Sequence, residues 1–216
     1  MTMKKESSLR HQTPQGLKLK SKQKDWLTRL ESVSGSPVEL SQTKKRLYLL
    51  IDCSTSMADG DKMEQAKRGS LAFAEEAIHK GYIVGLITFS YSADLLLESQ
   101  YETSQLHLII NNLHASGSTN LTGALHIARN QLTDMMGERI LCVVTDGMPD
   151  DTTSALEMAK AIHQDGIDIM TIGTDDADKK FLRKLSTRDD LTIKVDRNHF
   201  EQGIVSMAKM LPGKDC

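Results

Sequence analysis

From residue 46 onward, short apolar runs alternate with amphipathic stretches, and this alternation constrains the fold more than any other feature of the chain. RLYLLID (46–52) is nearly continuous in apolar character, as expected of a strand covered on both faces. Residues 62–80 then place Met63, Ala66, Ser70, Phe73, Ala74, Ala77 and Ile78 on one helical face, with Gly81 where a C-terminal cap is wanted. YIVGLITF (82–89) and ADLLLE (93–98) are separated only by Ser90, Tyr91 and Ser92, a spacing that predicts a hairpin and hence an antiparallel pair. After a helix around 103–113 and the polar loop HASGSTN, Leu121, Ala124, Leu125, Ala128, Leu132, Met135 and Met136 recur at helical spacing, which predicts a helix running through Met136. RILCVVTD (139–146), a helix stopped by Gly166, IDIMTIG (167–173), the helix DKKFLRKLS, the strand LTIKV and the closing helix HFEQGIVSMAKML complete the series. Six strands with helices between most of them describe an α/β, doubly wound, Rossmann-like open sheet.

A chain of 216 residues suits one domain with a tail. With 39% hydrophobic and 26% charged residues it has the composition of a globular protein, which excludes a fibre or a wholly disordered chain. No apolar run approaches the roughly 20 residues that span a bilayer, and MTMKKESSLRHQTPQ lacks the apolar centre of a secretory signal, so no membrane association and a cytoplasmic location are expected. Cys53, Cys142 and Cys216 show no CxxC spacing and are read as reduced thiols.

The formal net charge of −2 conceals an asymmetry, because basic residues crowd the first 46 positions and the rest of the chain is acidic. Residues 1–45 are read as a basic N-terminal extension, partly disordered, with a short helix near 22–31 where Trp26, Leu27 and Leu30 fall at helical spacing. Nucleic-acid binding through this arm is a weaker reading than a solvated extension.

In a doubly wound sheet ligands sit beyond the carboxyl ends of the strands, where the strand order reverses. Two aspartates occupy such ends, Asp52 in LIDCSTSM and Asp146 in VVTDGMPDD, although either alone is equally well explained as a helix N-cap. Ser54 and Ser56 follow Asp52 at alternate positions, so an extended loop aims three oxygens the same way and turns Cys53 aside. Thr119 in GSTN adds a third hydroxyl just before the strong amphipathic helix. Two carboxylates and three hydroxyls, with no sulfur or imidazole, suit a hard octahedral cation such as Mg2+ or Mn2+ better than calcium or zinc. Asp150 and Asp151 are read as the start of the next helix, Asp178 as a cap of the one after, and Lys62 and Lys67 as part of a solvated helix face.

These residues resemble the metal-ion-dependent adhesion site of von Willebrand factor type A domains. Asp52, Ser54 and Ser56 in DCSTS, Thr119 in GSTN and Asp146 in TDG match all five of its positions, with Thr55 standing where many members have Gly. LYLLIDCSTSM, MEQAKRGSLAFAEEA, GLITFS, GSTNLTGAL and RILCVVTDG also fall in that family's order and spacing, so the resemblance covers residues 46–212. It implies five parallel strands plus one antiparallel edge strand, helices on both faces, and a metal between the first and fourth strands with one coordination position open. It also implies that a partner's Asp or Glu fills that position, and that an intracellular bacterial member of this kind works as an adaptor beside an AAA+ ATPase.

The alternative is a Mg2+- or Mn2+-dependent phosphatase or hydrolase using the same oxygens. Against it, a haloacid-type phosphatase wants a second Asp where Ser54 stands, and no GxGxxG, GxxxxGK[ST] or GxSxG motif is present. The chain is therefore read as a binding module and not an enzyme.

Overall fold

The computed structural model describes residues 44–174 and 177–213. The basic extension expected over 1–45, with its helix near 22–31, lies outside the described residues except for Lys44 and Lys45. Six strands are present: β1 (Lys45–Asp52), β2 (Tyr82–Phe89), β3 (Ala93–Gln100), β4 (Arg139–Thr145), β5 (Asp168–Thr174) and β6 (Thr192–Val195). Among the described residues six α-helices accompany them: α1 (Lys62–His79), α2 (Thr103–Asn111), α3 (Leu121–Leu132), α4 (Thr152–Gln164), α5 (Lys179–Leu185) and α6 (Phe200–Met207). The strands form one sheet in the order β3-β2-β1-β4-β5-β6. Only β3 is antiparallel, and it closes one edge.

Alternation along β1 divides the core in two. Leu47, Leu49 and Ile51 point to a layer shared with Phe73 of α1, Leu106 and Ile110 of α2, and Ile204 of α6. Tyr48 and Leu50 point the other way, toward Leu125 of α3, Ala159 of α4 and Leu182 of α5. A strand buried on both faces has to be apolar at every position, which is why RLYLLID shows no polar alternation. β3, with only one covered face, alternates between half-buried and exposed residues.

Ser90, Tyr91 and Ser92 form the expected hairpin turn, closed by the Ser90 amide donating to the Ser92 carbonyl at 2.8 Å. Gly81 takes φ 93° at the end of α1, a left-handed conformation that costs a side-chain-bearing residue about 1 kcal/mol or more. One expected boundary is corrected. The helix predicted to run through Met136 ends at Leu132, and Met135 and Met136 are exposed. A turn closed by the Met135 amide donating to the Leu132 carbonyl ends the helix, and the Arg139 guanidinium donates to the carbonyls of Leu132 and Thr133 and to those of Asp165 and Gly166, tying the ends of α3 and α4 together. Among the described residues no helix is long and apolar enough to cross a membrane.

β1 and β4 are parallel neighbours whose helices leave on opposite sides, α1 toward the first core layer and α4 toward the second. The crevice between their carboxyl ends is the point where the strand order reverses.

Candidate metal centre

Asp52 is the last residue of β1 and Asp146 follows the last residue of β4. Parallel pairing of Ile51 with Val144 carries both aspartates into the crevice, where each is fully buried. The chain after Asp52 turns at once. The Ser54 amide donates to Asp52 Oδ1 at 2.8 Å, and a short 3-10 turn over Thr55–Ala58 follows. This places Ser54 Oγ 3.0 Å from Ser56 Oγ, and Ser56 Oγ donates to Asp146 Oδ1 at 2.7 Å. With the Ser56 proton committed to Asp146, Ser54 is the donor in the serine pair.

Asp52, Ser54, Ser56 and Asp146 thus form one hydrogen-bonded group, buried on the side of Asp52, Ser54 and Asp146 and exposed at Ser56. Thr119 is half-buried, and its described bonds run through its backbone to Asp150 and Leu121 rather than to this group. Its amide donates to both carboxylate oxygens of Asp150 at 3.1 Å, and its carbonyl accepts from the Asp150 amide at 3.1 Å. On the other side, the Thr55 amide and hydroxyl both donate to the Gly117 carbonyl at 3.0 Å, and the Ser116 amide donates to the Cys53 carbonyl at 2.7 Å. Three loops, from β1, from before α3 and from after β4, are therefore stitched around one spot.

Burial pushes the Asp52 carboxyl up to about 6; hydrogen bonds from Thr145 and Ser54 oppose that shift and the charge of Asp146 adds to it. Thr145 Oγ1 is the closest of these donors, at 2.6 Å from Asp52 Oδ2. Two buried carboxylates this close need a countercharge, and one is present in the protein itself. Lys62, the first residue of α1, is 1% exposed and its Nζ lies 2.5 Å from Asp146 Oδ2. Lys62 therefore does not lie on a solvated helix face as its charge suggested. Lys67 is also buried, at 8%, and pairs with Glu64 at 2.8 Å. What overrides the solvated reading of Lys62 is Asp146, 84 positions away in sequence and invisible to helical periodicity.

The acidic pair after β4 divides its labour. Asp151 is the N-cap of α4, accepting from the amides of Thr153 and Ser154, as expected of a helix start. Asp150 instead holds the Thr119 amide, a role that spacing alone did not reveal. Asp178 caps α5 as expected. Cys53 turns into the core, where burial pushes its thiol up to about 12, so it is held as a neutral side chain beside the oxygens.

Among the described residues no three His, Cys, Asp or Glu side chains are grouped to hold a metal ion, so a cation in this crevice has to draw on hydroxyls. The donor set present has that character. It comprises two carboxylates and two serine hydroxyls in one bonded group, all hard oxygens of low total charge, and the loop that carries Thr119 is tied to theirs through Gly117 and Ser116.

The family model for the von Willebrand factor type A domain matches residues 47–204. A search of curated proteins finds no match. Among solved structures, the von Willebrand factor domain of the type V pili tip protein Mfa5 from Porphyromonas gingivalis is similar, with TM-score 0.70 and 13% identity over 81% of this chain and 98% of that one. Manganese-loaded TRAP protein from Plasmodium vivax gives TM-score 0.68 and 19% identity over 81% and 75% of the two chains. BatB from Bacteroides thetaiotaomicron gives TM-score 0.62 and 20% identity over 76% and 99%. At these identities the likeness is one of fold.

Proposed function

Because the chain belongs to the von Willebrand factor type A family, one that often mediates metal-dependent protein interactions, we propose that it is a protein-binding module whose Asp52, Ser54, Ser56, Thr119 and Asp146 hold a Mg2+ or Mn2+ ion. The observation that carries this reading is the continuous bonding of Ser54, Ser56 and Asp146 across the β1/β4 crevice. Residues from two neighbouring strands far apart in sequence offer hard oxygens to one point there, next to an exposed Ser56. The manganese in the similar TRAP structure supports the choice of ion. When bound, the ion supplies a Lewis-acidic position for a carboxylate oxygen of a partner. The chain's own part is to fix the oxygens: Thr145 orients Asp52, Lys62 and Ser56 orient Asp146, and Asp150 sets the Thr119 loop.

The partner is a protein presenting Asp or Glu, and the adaptor role beside an AAA+ ATPase in the cytoplasm belongs to the same proposal. Mn2+ titration by calorimetry tests the centre. The wild-type chain binds one ion, and the Ser54→Ala, Ser56→Ala double variant binds none while melting cooperatively. Capture of a purified candidate partner is lost with chelator and with that double variant. Capture indifferent to both refutes the bridging role, and chelator-sensitive turnover of a generic phosphoester moves the chain to the hydrolase reading.

A further inference from the structure

Lys62 Nζ has one hydrogen-bond partner among the described residues, Asp146 Oδ2 at 2.5 Å, and both side chains are sealed from water, at 1% and 0% exposure. An ammonium in that position costs several kcal/mol of desolvation unless a charge of opposite sign faces it. The other oxygen of Asp146 accepts the hydrogen bond from the Ser56 hydroxyl, so Lys62 acts on the oxygen group itself and not on a remote surface.

We propose that Lys62 is a built-in countercation that lowers the centre's affinity for a divalent ion and raises the affinity of the loaded centre for a carboxylate. This rests on the metal-binding reading above. The charge count gives the direction. Asp52, Asp146 and Lys62 together carry one negative charge, and a divalent ion converts it to one positive charge, which a single partner carboxylate cancels. Without Lys62 the empty centre carries two negative charges and the loaded centre none. Lys62 therefore sets a weak hold on the ion against a strong hold on the ligand, and it keeps Asp146 in place when no ion is bound. Full burial magnifies both effects, because the ammonium is not screened by solvent.

The test uses the full chain as wild type, Lys62→Met and Lys62→Gln. Methionine keeps the length of the side chain, and glutamine keeps an N–H donor toward Asp146 without the charge. Mn2+ affinity is read by calorimetry, and acetate binding to the Mn2+-loaded protein by water proton relaxation. Both variants are expected to bind Mn2+ roughly tenfold or more tightly than wild type, and acetate severalfold more weakly. A residue that merely props up the fold predicts the opposite sign for Mn2+. Equal or weaker Mn2+ binding by both variants, with cooperative melting retained, overturns the proposal. Variants that melt early in chelator and recover in Mn2+ support it, since the ion then replaces the ammonium; variants unfolded in both conditions overturn it. Mn2+ binding by Lys62→Met but not by wild type sustains the countercation and refutes the metal-bridged function, whereas absence of binding in both refutes the two together.

Discussion

Thr145 donates its hydroxyl proton to Asp52 Oδ2 across 2.6 Å, joining the carboxyl ends of two adjacent parallel strands through side chains both cut off from solvent. The same hydroxyl accepts from the Gly147 amide at 3.3 Å, so one oxygen sets both the aspartate and the first turn of the loop carrying Asp146. Thr145→Val keeps the shape and removes these bonds, leaving a buried carboxylate oxygen unpaired. The expected cost is about 1–3 kcal/mol in urea unfolding with chelator present, shown as a lower midpoint at unchanged slope. A cost within about 0.3 kcal/mol of zero would place the hydroxyl outside the stability of the crevice.

The pH dependence of the chelated protein follows from Asp52, whose carboxyl is pushed by burial from 3.8 to about 6. A folded value above the unfolded one means that the proton favours the folded state. The contribution is fully present below the unfolded value and is lost as pH rises through the folded one. Asp52→Asn removes this titration. Between about pH 4 and about pH 7.5 the unfolding free energy of wild type should therefore fall relative to that of the variant by an amount of order 3 kcal/mol. Urea midpoints of the two chains that run parallel across that range contradict the prediction.

Gly117 takes φ 87°, and a Cβ built on it would come within 2.6 Å of Tyr91 Cδ2. The positive φ disfavours a side chain there and the exposed Tyr91 ring would have to swing aside for one, and the carbonyl of this residue is what anchors Thr55. Gly117→Ala is expected to cost about 1–2 kcal/mol by strain alone. It should also loosen the junction between the two oxygen-bearing loops. Mn2+ affinity should fall with it, and Tyr91→Ala on the same background should restore part of the stability but not the φ contribution.

How much of this was legible beforehand depended on distance along the chain. Asp52 and Asp146 stood out because each ends a nearly continuous apolar run, a local pattern that one strand writes by itself. The sheet with a single antiparallel strand was equally readable, because the three-residue turn at Ser90 permits nothing but a hairpin. Lys62 was misread because its environment comes from Asp146, while its helical neighbours look like any amphipathic helix. The surplus turn assigned to α3 failed for a similar reason. Met135 and Met136 continue the helical period, but Thr133 bonds back to the Arg129 carbonyl and Arg139 takes the terminal carbonyls. Periodicity reports which face is apolar and not whether the sheet leaves room for another turn.

The neighbours Asp150 and Asp151 offer a sharper test, because adjacent residues of one chemical type do different work. Asp151 caps α4 with bonds of 3.0 Å to the Thr153 and Ser154 amides, and its hydroxyl partner Ser154 holds its carboxyl below the usual carboxylate range. Removing it in Asp151→Ala leaves two amides unsatisfied and should cost about 1 kcal/mol of stability while Mn2+ binds as before. Asp150 is exposed and contributes little to packing, yet it clamps the Thr119 amide with both oxygens. Asp150→Ala should therefore melt close to wild type but bind Mn2+ about 10- to 100-fold more weakly, as when an orienting partner behind a metal ligand is lost. Asp150→Asn keeps one acceptor and should fall between the two. Calorimetry and thermal melting on the three variants separate the roles. If Asp150→Ala and Asp151→Ala change metal affinity and stability in the same proportion, the Thr119 clamp has no function of its own, and Thr119 should be dropped from the set of residues that hold the ion.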